Sequence, residues 1–167
     1  MRAAPAPHAG APRAGRLEGG PAGGAAADLQ APARTLGVFV VEDNVIVLES
    51  LVAALEELAP AHVVGTAADE DVAVRWLQDG GACDLAIVDI FLHSGSGLGV
   101  LAAARRRRPD TALVVLSNYC TDEMRARCLA AGADRVFDKS REIDLLVGFC
   151  TELACRKDGG SPGSAPH

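Results

Sequence analysis

The chain has 167 residues, 49% of them hydrophobic and 23% charged, with a formal net charge of −6 at neutral pH. That length holds one ordinary domain with tails, and its core must be aliphatic because aromatics make up only 4%. The acidic balance argues against a general nucleic-acid or anionic-membrane binder, and no apolar run approaches the roughly 20 residues of a membrane helix. The N-terminus offers no apolar core for a signal peptide. The cysteines (Cys83, Cys120, Cys128, Cys150 and Cys155) form no C-x-x-C pair. Together these features predict reduced thiols and a cytoplasmic protein.

Residues 1–35 are dominated by Ala, Gly and Pro, without periodicity, and are expected to form a disordered arm. Leu36 to Val41 reads as a buried strand running into Glu42-Asp43-Asn44. Asn44 is positioned to cap a helix, with Leu48, Leu51, Val52, Leu55 and Leu58 inward at helical spacing and Pro60 ending it. His62 to Gly65 reads as a second strand. Asp69 then caps a helix with Ala73, Trp76 and Leu77 inward, stopped by Gly80-Gly81. Asp84 to Val88 is the third strand, whose run Leu85-Ala86-Ile87-Val88 suits burial on both faces. It runs directly into Asp89 and a loop, His93 to Gly97.

The next helix ends in Arg105 to Arg108. These arginines suit the negative end of a helix better than a nucleic-acid patch. Ala112 to Leu116 is a fourth strand ending at Ser117-Asn118. Asp122 to Ala131 is a helix closed by Gly132. Asp134 to Phe137 is a fifth strand ending at Asp138-Lys139. Ser140 is expected to cap the last helix, whose Leu146, Phe149, Cys150 and Leu153 share one face. The domain is expected to span 36–156, and 157–167 to form a disordered tail. His62 and His93 have no histidine partner at metal spacing and read as structural. Five alternations of strand and helix predict an α/β fold, a parallel sheet with helices on both faces.

In a parallel sheet the carboxyl ends of the strands share one edge, where ligands bind. Glu42 and Asp43 come directly after the first strand, Asp89 after the third, Ser117 after the fourth and Lys139 after the fifth. Three carboxylates there repel by about 4 kcal/mol per pair at 4 Å and an effective dielectric near 20. Lys139 offsets part of this, and a hard divalent ion, Mg2+ or Mn2+, the rest. Such a site can set a phosphoryl donor against an aspartate nucleophile. Metal and lysine then neutralise the equatorial oxygens, and a serine hydroxyl binds one of them.

At this point the sequence resembles a bacterial response-regulator receiver domain of the single-domain type. The resemblance rests on Val-Val-Glu42-Asp43-Asn, Ile-Val-Asp89-Ile-Phe-Leu, Gly-Ser-Gly97-Leu, Val-Leu-Ser117-Asn and Gly-Ala-Asp134-Arg-Val-Phe-Asp-Lys139-Ser. It implies a flavodoxin-like five-stranded fold, with Asp89 as the phosphorylated aspartate. Glu42 and Asp43 would be Mg2+ ligands beside Asp89 and the backbone carbonyl of Phe91. Ser117 would be the switch hydroxyl and Lys139 the phosphate-binding lysine. The donor would be a sensor histidine kinase or a histidine phosphotransfer protein. The chain would act as a phosphorylation switch or a phosphoryl shuttle, as a monomer or weak homodimer, rather than as a turnover enzyme. The residues after Lys139 are too few for a DNA-binding output domain, so none is expected.

Departures from the family pattern are visible. Ser140 stands where a proline often comes after the lysine, and His93 where a proline is common after the aspartate. Val136 takes the position of the aromatic that rotates on activation, and Phe137 should face the other way. The bulky Phe91 and Tyr119, each two residues past a site residue, should hinder an attacking water and slow loss of the phosphoryl group. The rival from another class is an unphosphorylated docking module, disfavoured by the intact set of acidic, serine and lysine residues. A phosphatase of the haloacid dehalogenase type would need an Asp where Phe91 stands. A nucleotide-binding Rossmann domain would need a glycine-rich turn where Glu-Asp-Asn stands.

Overall fold

The structure is a computed structural model that describes residues 34–159. The expected arm and tail lie outside the described residues except at their inner ends. There Arg34 donates its backbone N–H to Asp158 at 2.6 Å, and the last helix continues through Lys157 to Gly159.

The strands are β1 (Leu36–Val41), β2 (Ala61–Ala67), β3 (Leu85–Val88), β4 (Ala112–Ser117) and β5 (Arg135–Asp138). They form one parallel sheet in the order β2-β1-β3-β4-β5. The helices are α1 (Val45–Leu58), α2 (Glu70–Gln78), α3 (Gly97–Arg107), α4 (Asp122–Ala130) and α5 (Ile143–Gly159). This is the flavodoxin-like arrangement.

Alternation along each strand splits the core in two. Leu36, Val38, Val40, Ile87, Leu116 and Phe137 face one layer with Leu51, Leu55, Leu146 and Leu153 of α1 and α5. Phe39, Val41, Val88, Val115 and Val136 face the other, with Ala73, Leu77, Val100, Leu101 and Cys128 of α2, α3 and α4. All four β3 residues are buried, as a central parallel strand requires. Trp76 anchors the second layer, stacked on Phe39 with ring centroids 4.0 Å apart. Leu58, expected inward, lies on the exposed last turn of α1.

Local chemistry fixes the helix starts. Asn44, Asp69, Ser96 and Thr121 each accept backbone N–H groups of the first turn. Ser140 does not cap α5. It lies in the turn before that helix, where its N–H and hydroxyl both donate to Asp138 Oδ1, at 2.8 and 2.6 Å. The helix opens later, and Glu142 accepts the first backbone bond, from Leu146. Gly97 packs against the backbone just after the central aspartate. A Cβ there would run into the Asp89 carbonyl oxygen and Ile90 Cα, so α3 can start at this depth only with glycine.

Candidate functional site

The five side chains singled out from the sequence converge at the carboxyl edge of the sheet. Glu42, Asp43, Asp89, Ser117 and Lys139 all line one cleft of about 200 Å³. One carboxylate oxygen each from Glu42, Asp43 and Asp89 lies within 4.8 Å of the others. Glu42 and Asp89 are buried, whereas Asp43 sits nearer the surface. Glu42 and Asp89 are each placed by a strand end: Glu42 N–H donates to Ala67 and Asp89 N–H to Val41, continuing the ladder.

Lys139 sets the charge balance. Its ammonium lies 2.7 Å from Asp89 Oδ2 and is also bonded to Glu42 Oε2. Burial pushes the lysine pKa down, but the bonds to Asp89 and Glu42 outweigh it and the net shift is upward. The lysine is therefore charged at neutral pH. Three carboxylates against one ammonium leave about two negative charges, in an oxygen-only donor set. That set fits a hard divalent cation such as Mg2+. The Asp138–Ser140 turn brackets the lysine, whose own N–H donates to the Ser117 carbonyl at 3.1 Å.

Ser117 is buried, and its Oγ accepts the Tyr119 N–H at 3.3 Å. Asp89 Oδ1 accepts the Phe91 N–H at 3.1 Å. Phe91 and Tyr119 then meet edge to face, centroids 5.4 Å apart, as a partly exposed aromatic pair at the rim of the cleft. Val136 and Phe137 face opposite layers as expected, and Phe137 packs 6.2 Å from Phe149.

Two contacts escaped the sequence reading. His93 donates its backbone N–H to Asp43 Oδ2 at 2.8 Å, and its Nδ1 bonds the same oxygen. Burial pushes the Asp43 pKa up, but these His93 bonds outweigh it and hold it below the usual value. The same contact raises that of His93. Cys120 bonds the carbonyls of Ser117 and Phe137 through Sγ, at 3.2 and 3.5 Å, stitching the loop after β4 to β5. A search for paired histidines or cysteines could not find either, because each works alone against a partner distant in sequence or a backbone carbonyl.

Comparison with known proteins identifies the family and the fold. A family model for the response regulator receiver domain matches residues 38–149. The acid tolerance regulatory protein ActR of Rhizobium meliloti is 30% identical over 121 residues, 72% of this chain and 60% of ActR. The transcriptional regulatory protein TcrA of Mycobacterium tuberculosis is 33% identical over 119 residues, 71% of this chain and 46% of TcrA. The chain thus spans 60% or less of the length of these curated relatives. Among solved structures, the receiver domain of the response regulator NarL from Mycobacterium tuberculosis superposes with a TM-score of 0.65 at 24% identity, covering 72% of this chain and 97% of that one. The Francisella response regulator 1452 receiver domain gives 0.64 at 22% identity, covering 73% and 98%. At such identities the structural likeness speaks for the fold.

Proposed function

The chain belongs to the response regulator receiver domain family of two-component signalling, and from that premise we propose that Asp89 is a Mg2+-dependent phosphoacceptor. The observation that carries the reading is the single cleft holding Asp89, two further carboxylates, Lys139 and Ser117. Glu42, Asp43, Asp89 and the Phe91 backbone carbonyl would hold the ion, Mg2+ or Mn2+. When bound, it supplies positive charge that neutralises the transferring phosphoryl oxygens.

The residues do the rest. An Asp89 carboxylate oxygen attacks phosphorus while the bond from phosphorus to the donor breaks. For a phosphohistidine donor the leaving nitrogen takes a proton from solvent. Lys139, already bonded to Asp89 Oδ2, moves its charge onto the incoming phosphoryl group. The Ser117 hydroxyl turns from Tyr119 N–H to a phosphoryl oxygen, which pulls on the loop after β4. The reaction is one transfer onto the protein itself, so the chain catalyses its own phosphorylation without acting as a turnover enzyme, and slow hydrolysis of the acyl phosphate resets it.

The donor is a sensor histidine kinase or a histidine phosphotransfer protein. An apolar groove of about 250 Å³, lined by Ile46, Val47 and Ile143, opens beside Lys139 and supports a protein donor rather than a small metabolite alone. The reading is tested with a phosphohistidine-bearing transfer protein carrying labelled phosphate. Label should move to the wild type as a base-labile, hydroxylamine-sensitive acyl phosphate on the peptide holding Asp89. Label on a serine, or on the Asp89→Asn variant to the same extent, would defeat it.

A further inference from the structure

We propose that His93 is the positioning residue of the metal site, holding one oxygen of Asp43 so that the other is presented to the ion. The inference rests on the phosphoacceptor reading above and goes further, assigning a role to a residue outside the acidic set.

Of the three carboxylates, Glu42 and Asp89 each have an oxygen fixed by Lys139. Asp43 has no bond to that lysine. Its Oδ2 is held instead from 50 residues away in sequence, by the backbone N–H of His93 at 2.8 Å and by the ring Nδ1. Two donors on one carboxylate oxygen remove the rotation of the group and leave Oδ1 as the free ligand. Hydrogen bonds of this kind behind a metal ligand raise affinity because less freedom is lost when the ion binds.

The contact also sets two candidate ligands in register. His93 lies two residues past Phe91, whose N–H is tied to Asp89 Oδ1. Further along the same loop, Ser96 N–H is anchored on Glu70 at 2.7 Å. The His93–Asp43 bonds close the span between these anchors onto the turn after β1. The residue type matters. A proline here, common in the family, has neither the N–H nor a side-chain donor. An alanine keeps the N–H alone.

The test measures the metal alone. Free Mn2+ is counted by electron paramagnetic resonance during titration of the wild type, His93→Ala and His93→Asn at one pH, and Mg2+ is then added to displace it. Circular dichroism in EDTA verifies that each variant is folded. His93→Ala should bind Mn2+ and Mg2+ about tenfold more weakly, the low end for such outer contacts because the ring is exposed. His93→Asn, which keeps a side-chain donor, should recover part of that loss. Equal or tighter binding by His93→Ala would overturn the proposal, because the ring would then be idle or a competitor of the ion. A wild type that binds no Mn2+ would instead remove the metal site itself, and the phosphoacceptor reading with it.

Discussion

Lys139→Met is the perturbation that weighs the site's electrostatics most sharply. The ammonium sits 2.7 Å from Asp89 and is bonded to Glu42, and the exposures of the three side chains are 10%, 9% and 2%. At 2.7 Å and an effective dielectric near 20, one such pair is worth about 6 kcal/mol before desolvation is counted. Methionine keeps the length and loses the charge, leaving two buried carboxylates unpaired. Removing one partner of a buried pair typically costs about 3–5 kcal/mol. For a domain of this size that is a fall in melting temperature of about 10–15 °C.

The assay is thermal unfolding of both proteins in EDTA and then in excess Mg2+. In the proposed site the ion binds the same carboxylates, so the gap should be widest in EDTA and should narrow with Mg2+. The pH dependence has a definite sign. The folded lysine pKa is raised, so its contribution is fully present below the unfolded value near 10.5 and is lost as pH rises through the folded value. The gap should therefore stay level over roughly pH 6 to 9 and close only in strong base. A fall of less than about 2 °C in EDTA would refute the electrostatic account. So would an equal rise of both proteins with Mg2+.

The cleft and the core carry two further predictions. Phe91 and Tyr119 form an edge-to-face pair at the mouth of the cleft, so Phe91→Asn with Tyr119→Glu should speed loss of the phosphoryl group by on the order of tenfold, equivalent to about 1.4 kcal/mol in the barrier. An unchanged decay rate, measured by intact mass, would show that the rings do not hinder water. Burial pushes the Cys83 and Cys150 thiols up to about 11, while Cys155 is exposed. Brief iodoacetamide treatment at about pH 8 should therefore label Cys155 well before Cys83 or Cys150, by peptide mapping, and early labelling of Cys150 would contradict its packing.

The fold was legible where hydrophobic pattern alone sets position. β1 begins and ends at the predicted Leu36 and Val41, and the caps Asn44 and Asp69 hold their helices as their side-chain chemistry requires. The convergence of the five candidate residues on one cleft was legible for a topological reason: polar groups that end buried parallel strands must share an edge. Boundaries set by competing local bonds were not legible. Ser140 has the side chain of a cap, yet Asp138, two residues earlier, captures both its donors and delays α5. Leu58 has the helical spacing of a core residue, but it lies exposed on the last turn of α1. His93 reads as structural when metal spacing is sought among histidines, whereas its partner is a carboxylate brought near only by the fold.

The central claim is tested most directly by intact mass after incubation with acetyl phosphate, for the wild type and Asp89→Ala, each with Mg2+ and with EDTA. The account predicts one added phosphoryl group on the wild type with Mg2+, and none in the other three samples. An adduct that survives Asp89→Ala, or that forms equally well in EDTA, would contradict it.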